Sequence, residues 1–323
     1  MLQVGLIGLG PEWEQRFRPA LGSLSNRIHV RSVYATASSH AEQAAAELNC
    51  DVAPGLLSLI ERDDVRALLI LETDWHAEVP AWLACQLGKP AFLGGKLANR
   101  LSLTNLQRRA ADSGVTFMPD LGHRYTPATS RLRELMATRL GRPLVIEVVT
   151  GPDARHSLDV AAPESAAGDL FAVAVDWCIS LIGTAPVAVV PAANHDLAAP
   201  AAGGRQYDVE FRRPSGGGDA ARARIQIHAA PLSAATANGE GPGAPLRQIT
   251  IQCAKGRALL KPPYGITWEV AGERVTESLT SDRSDAEVMF DHFSRRVLGG
   301  LIPVPTLDDV SKAREVAARL SLL

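Results

Sequence analysis

Scarcity narrows the class of this chain before any motif does. Its 323 residues include only four cysteines, Cys50, Cys85, Cys178 and Cys253, set far apart and forming no Cys-x-x-Cys pair. That argues against a disulfide scaffold or a thiolate metal site, and the four read as reduced structural thiols in apolar surroundings. No apolar run approaches the roughly 20 residues that cross a bilayer, so no membrane partner is expected. Net charge is -2 and the Lys and Arg residues are scattered, which argues against a nucleic-acid partner. The N-terminus lacks a basic region, and its apolar run breaks at Gly8-Leu9-Gly10-Pro11-Glu12. No secretion signal is read there, and a cytoplasmic address is expected.

What is present suggests two domains, since 323 residues are about twice the usual domain size. Residues 2–8 form a short apolar run ending in glycine, and Phe17, Leu21 and Leu24 recur at helical spacing after it. The spacing predicts strand, turn and a helix from Glu12 to Leu24. His29–Ala35 and Val65–Leu71 have strand composition, the second being a continuous Leu/Ile run suited to a parallel strand covered on both faces. Helices are predicted from Ser38 through Leu48, from Ala77 to Leu87 and from Leu103 to Ser113, with strands at Pro90–Leu93 and Val115–Met118. Residues 1–122 therefore read as a doubly wound, Rossmann-type α/β domain.

Residues 123–323 have a different rhythm. Helices at Pro127–Leu140 and Gly168–Ile182 are followed mainly by strand-like runs, from Val187–Val190 to Ile266–Val270, and the chain closes with helices at Asp285–Leu298 and Leu307–Leu322. Strands that follow one another without helices imply an α+β domain with a mainly antiparallel, open sheet. The last helix is a candidate to pack back on the first domain. Residues 191–204 and 232–245 are rich in Ala, Gly and Pro and read as loops.

A strand ending in Gly-x-Gly before a helix lets the pyrophosphate of a dinucleotide approach the backbone, where amides and the positive helix end stabilise it. Gly8 and Gly10 supply the two glycines, and Trp13 stands at the third position. The alternative is a tight turn without a ligand. Where the second strand is normally followed by an acidic residue for the adenosine ribose, the chain reads Tyr34-Ala35-Thr36-Ala37-Ser38-Ser39-His40, without a carboxylate. Thr36 and its hydroxyl neighbours could donate to a ribose phosphate, so either NAD or NADP is open.

The glycine turn belongs to a longer series: Arg18-Pro19-Ala20-Leu21, Thr73-Asp74-Trp75-His76, Gly88-Lys89-Pro90, Gly122-His123-Arg124-Tyr125-Thr126-Pro127-Ala128 and Leu140-Gly141-Arg142-Pro143. In order and spacing the series resembles the glucose-fructose oxidoreductase, inositol dehydrogenase and MocA (Gfo/Idh/MocA) family over nearly the whole chain. The resemblance implies NAD(P) on the first domain, a sugar or polyol-like substrate against the sheet of the second, hydride transfer between them, and a homodimer or higher homo-oligomer.

In that family a lysine from a Glu-Lys-Pro motif and a histidine on the second-domain helix commonly transfer the proton. Here the first position reads Gly94-Gly95-Lys96, with the lysine displaced by one residue, and the second is Val173, between Asp169 and Asp176. Valine carries no proton. The remaining catalytic candidates are Lys96, His123, Tyr125 and Asp176; Arg124 and Asp169 are candidates for the substrate, and Thr73 and His76 join Gly8, Gly10, Trp13 and Thr36 on the cofactor side. Each has a structural alternative: a solvated Lys96, an N-cap cluster of Asp74 with His76, and an ion pair of Arg124 with Asp120. Asp153 and His156 carry no metal-ligand pattern, and His228 and His292 read as ordinary surface or interface residues. A non-catalytic module that binds a cofactor or sugar, or serves assembly, competes with the enzyme.

Overall fold

The computed structural model describes residues 1–72, 76–94, 102–151, 163–192, 205–212, 221–228 and 246–322. They form two compact units, one comprising residues 1–122 with 286–311, the other residues 123–285 with 312–323.

The first unit is built on strands β1 (Leu2–Ile7), β2 (Ile28–Tyr34), β3 (Asp51–Val52), β4 (Ala67–Ile70), β5 (Ala91–Leu93) and β6 (Phe117–Pro119). All pair in parallel, in the order β3-β2-β1-β4-β5-β6. Strand β4 is Ala-Leu-Leu-Ile with every residue at 0% exposure, the burial on both faces that a continuous apolar run signals. From β2 onward, strands consecutive in sequence are joined through helices: Ser38–Leu48, Leu56–Ile60, Val79–Gln86 and Leu103–Ser113.

The helix expected over Glu12–Leu24 is two pieces, a five-residue π-helical turn at Trp13–Phe17 and an α-helix at Arg18–Ser23. Pro19 explains the break, because it has no N–H to return to the carbonyl four residues earlier and the ladder widens before it. The amide of Phe17 accordingly reaches back five residues to the carbonyl of Glu12 at 3.3 Å. Phe17 packs against Phe92 and Phe290, and Phe92 against Phe293, so the helix Asp285–Val297 is held in this unit's core. An ion pair of Arg27 with Asp291 adds to it.

The second unit carries β7 (Pro143–Thr150), β8 (Pro186–Pro191), β9 (Arg205–Phe211), β10 (Ala221–Ile227), β11 (Leu246–Cys253), β12 (Gly256–Lys261), β13 (Gly265–Val270) and β14 (Glu273–Ser278). Their order is β14-β13-β12-β11-β7-β10-β9-β8, antiparallel except for the parallel pair β7 and β10. One face, including Ile146, Val148, Val209, Ile225 and Ile251, is buried with Phe171, Val175 and Trp177 of the helix Pro163–Ile182. The other face alternates to polar residues, among them the pairs Arg224 with Asp208 and Arg257 with Glu269. Strand β14 escapes sequence reading because it is an edge strand with no buried residue and no apolar alternation. The helix expected over Pro127–Leu140 ends as a second π-helical turn, Met136–Leu140.

Candidate functional site

The turn after β1 requires glycine for two separate reasons. Gly8 and Gly10 have φ of +67° and +66°, in the left-handed region that L side chains rarely adopt. A Cβ on Gly8 would also stand 2.0 Å from the carbonyl oxygen of Glu72, just after β4. The Gly8 amide is spent on the carbonyl of Tyr34 at 2.8 Å, which ties the turn to the end of β2. Thus the turn lies at the carboxyl ends of β2, β1 and β4, where the strand order reverses and α/β sheets bind ligands. A backbone without Cβ atoms at this edge fits a dinucleotide's pyrophosphate, although Pro11 supplies no amide to it.

Trp13 is only 4% exposed, so its ring is part of the unit's packing, and Thr36 is exposed beyond β2. Behind the turn, Arg16 forks onto Asp120 at 2.5 and 2.8 Å, with Glu12 at 3.4 Å. The Asp120 carboxylate thus receives both nitrogens of the Arg16 fork.

Beside the turn lies a ring pair that local sequence pattern barely signals. Tyr34 ends β2 and stacks on His76 with centroids 5.6 Å apart and planes 15° apart. Its hydroxyl oxygen is 2.9 Å from His76 Nε2. Together with Leu56 and the exposed Val79 these rings line an open cleft of about 340 Å³. An aromatic residue closing a strand at the ligand edge was the available signal.

The second unit brings two other candidates onto the carboxylate of a third. Asp176, 2% exposed on the helix Pro163–Ile182, receives Arg124 Nε at 2.8 Å and Nη2 at 2.5 Å, while His123 Nε2 lies 2.6 Å from its Oδ2. Burial pushes the Asp176 carboxyl up, but the hydrogen bonds and charges of His123 and Arg124 outweigh it and hold the group below the usual carboxylate range. The Arg124 fork, expected for a substrate anion, therefore grips a protein carboxylate. Hydrogen bonds brace the backbone behind it: Thr129 Oγ1 donates to the His123 carbonyl at 3.1 Å and accepts from Trp177 Nε1 at 3.0 Å, and Arg133 donates to the Arg124 carbonyl at 2.6 Å.

Tyr125 is half-buried beside this cluster, and its charge interaction supports the Arg133 guanidinium, which burial pushes down. Asp169 is exposed near the start of the same helix and faces the charge of Arg314. Val173 packs against the core. Lys96 and Thr73, with Asp74, Trp75, Asp153 and His156, lie outside the described residues. Among the described residues no group of three His, Cys, Asp or Glu side chains is placed to hold a metal, and no helix is long and apolar enough to cross a membrane.

No protein-family model and no curated protein sequence matches the chain. Solved structures do. UDP-N-acetylglucosamine 3-dehydrogenase GnnA from Acidithiobacillus ferrooxidans is similar over 99% of this chain and 97% of its own, at 17% identity and TM-score 0.72. The dehydrogenase MviM from Clostridium difficile matches over 99% of both chains, at 14% identity and TM-score 0.76. Levoglucosan dehydrogenase, solved with NADH and levoglucosan, matches over 99% of this chain and 96% of its own, at 15% identity and TM-score 0.73. The chain has the fold of the Gfo/Idh/MocA-type dehydrogenases. The parallel sheet with its glycine turn is the Rossmann-like part of this two-domain fold, and the eight-stranded, mostly antiparallel sheet belongs to the other domain.

Proposed function

We propose that the protein is a nicotinamide-dependent oxidoreductase acting on a sugar or polyol-like hydroxyl. The observation that carries this is the turn Gly8–Gly10, whose left-handed glycines and contact with Glu72 leave a side-chain-free backbone at the reversal of strand order. Gly8, Gly10, Tyr34, Thr36 and His76 would hold the dinucleotide, with Thr73 next to them in sequence. When bound, the nicotinamide supplies the acceptor or donor of hydride. Levoglucosan dehydrogenase, of the same fold, was solved with NADH, and that supports the cofactor class.

No carboxylate follows β2, so NADP is accommodated as readily as NAD. The protein acts in the cytoplasm as a homodimer or higher homo-oligomer, and light scattering tests the assembly. Turnover of UDP-N-acetylglucosamine, levoglucosan, free hexoses or polyols with NAD⁺ or NADP⁺ tests the activity, and cofactor binding without turnover of any of them would contradict it.

One observation favours a second reading, a module that binds cofactor or sugar without chemistry. Val173 stands where the resembled family has its histidine, and it packs against the apolar core. Turnover that is lost in Lys96→Ala would contradict this second reading.

A further inference from the structure

We propose that Glu72 makes the glycine turn selective for the oxidised form of the dinucleotide over the reduced form. The proposal rests on the oxidoreductase reading of that turn and names the residue that sets its preference. Every residue it uses lies in the first unit.

Two distances bring Glu72 to the turn. Its carbonyl oxygen lies 2.0 Å from where a Cβ on Gly8 would stand, and its own Cβ lies 3.4 Å from where a Cβ on Gly10 would stand. The backbone of Glu72 thus closes off one side of Gly8, and its side chain starts against Gly10. The carboxylate carbon is two bonds beyond that Cβ, so in every rotamer it stays within about 6 Å of the open side of Gly10. The residue is also held in place. The amides of Leu71 and Glu72 donate to the Ile7 carbonyl at 2.9 and 3.5 Å, which ties the end of β4 to the end of β1. A pyrophosphate approaching this backbone meets a fixed negative charge at short range.

The arginines that follow the turn are bonded to other carboxylates: Arg16 to Asp120 and Glu12, and Arg18 to Glu14 and Glu47. Glu12 itself adds a carboxylate two residues beyond Gly10. Donors to the phosphates are also reduced in number, because Pro11 has no amide and the Gly8 amide is bonded to the Tyr34 carbonyl.

Charge turns this into selectivity. The oxidised nicotinamide ring carries one positive charge and the reduced ring carries none, so NADH and NADPH each bring one more net negative charge than NAD⁺ and NADP⁺. Across about 7 Å of water one pair of unit charges changes affinity on the order of threefold. Glu72 therefore weakens all four dinucleotides and weakens the reduced pair most, which favours loading of the oxidised cofactor and release of the reduced one.

Calorimetric titration of NAD⁺, NADH, NADP⁺ and NADPH into the full-length protein tests this. Glu72→Gln is expected to bind the reduced forms about five- to tenfold tighter than wild type and the oxidised forms about two- to threefold tighter, so that the preference for the oxidised form falls about threefold. Glu72→Asp keeps the charge and is expected to keep the wild-type preference. A further arm needs no variant: raising NaCl from about 20 to about 300 mM should narrow the ratio of NAD⁺ to NADH affinity in wild type, because salt screens the repulsion. Reduced forms bound no tighter by Glu72→Gln than by wild type overturn the proposal, as does a wild-type ratio that salt leaves unchanged. If neither wild type nor Glu72→Gln binds any of the four at millimolar concentration, the oxidoreductase reading fails and this role with it. Binding with the same redox preference in wild type and Glu72→Gln defeats only the role of Glu72.

Discussion

The hydroxyl of Tyr34 and Nε2 of His76 lie 2.9 Å apart across two stacked rings, joining the end of β2 to the segment that follows β4. Because the Gly8 amide is bonded to the carbonyl of the same tyrosine, the ring pair is tied to the glycine turn. Tyr34→Ala should weaken cofactor binding about tenfold, within the range for stacking of a base on an aromatic ring, and Tyr34→Phe should weaken it less. Isothermal titration with NADH checks both; unchanged affinity in Tyr34→Ala would remove the ring pair from the cofactor site.

Gly8→Ala should be among the most damaging single changes in the first unit. The new Cβ would meet the Glu72 carbonyl oxygen at 2.0 Å in a backbone already at φ +67°, so β1 and β4 must separate. A loss of at least about 2 kcal/mol is expected from strain and displaced packing together. Chemical denaturation measures it. Gly10→Ala, whose nearest contact would be 3.4 Å, should cost less.

Acid should release the His123–Arg124–Asp176 cluster. Asp176 is held below its ordinary value in the folded state, so its contribution to stability is fully present above the unfolded carboxyl pKa of about 4 and is lost as pH falls through the folded value. Asp176→Asn should therefore melt lower than wild type at pH 7, with the gap closing in acid. Breaking the buried pair altogether with Asp176→Ala should cost about 3–5 kcal/mol. Melting curves from pH 7 down to the acid limit of folding test the sign; a gap that widens in acid would contradict it.

The four thiols should be slow to react. Burial pushes Cys50 and Cys253 up to about 11 and raises Cys85 and Cys178 as well, leaving little thiolate near neutrality. Native protein at pH 8 is expected to alkylate with iodoacetamide at least about 100-fold more slowly than unfolded chain. Rapid native labelling of Cys253 would show that β11 opens.

Much of the first unit was legible because its strands are short apolar runs between helical periods, and β4 advertises burial on both faces. The glycine turn was legible because left-handed backbone selects glycine. The π-helical turn at Trp13–Phe17 was not, since Trp13, Phe17 and Leu21 keep an apolar spacing that a regular helix would also show. At the candidate site the sequence supplied His123, Arg124 and Asp176 as separate residues. Their meeting depends on the turn Gly122–Arg124 packing against a helix some fifty residues away, and local periodicity does not encode that contact. The pairs Arg16 with Asp120 and Arg124 with Asp176 have the same origin, tertiary packing.

Titration of the purified protein with NADH and NADPH, followed by nicotinamide fluorescence and by the shift in melting temperature, probes the Gly8–Gly10 turn most directly. Saturable binding of at least one cofactor, with a matching rise in melting temperature that Gly8→Ala abolishes, is the expected result. Absence of binding at millimolar cofactor would show that the turn is a scaffold and that the protein is not a nicotinamide-dependent enzyme.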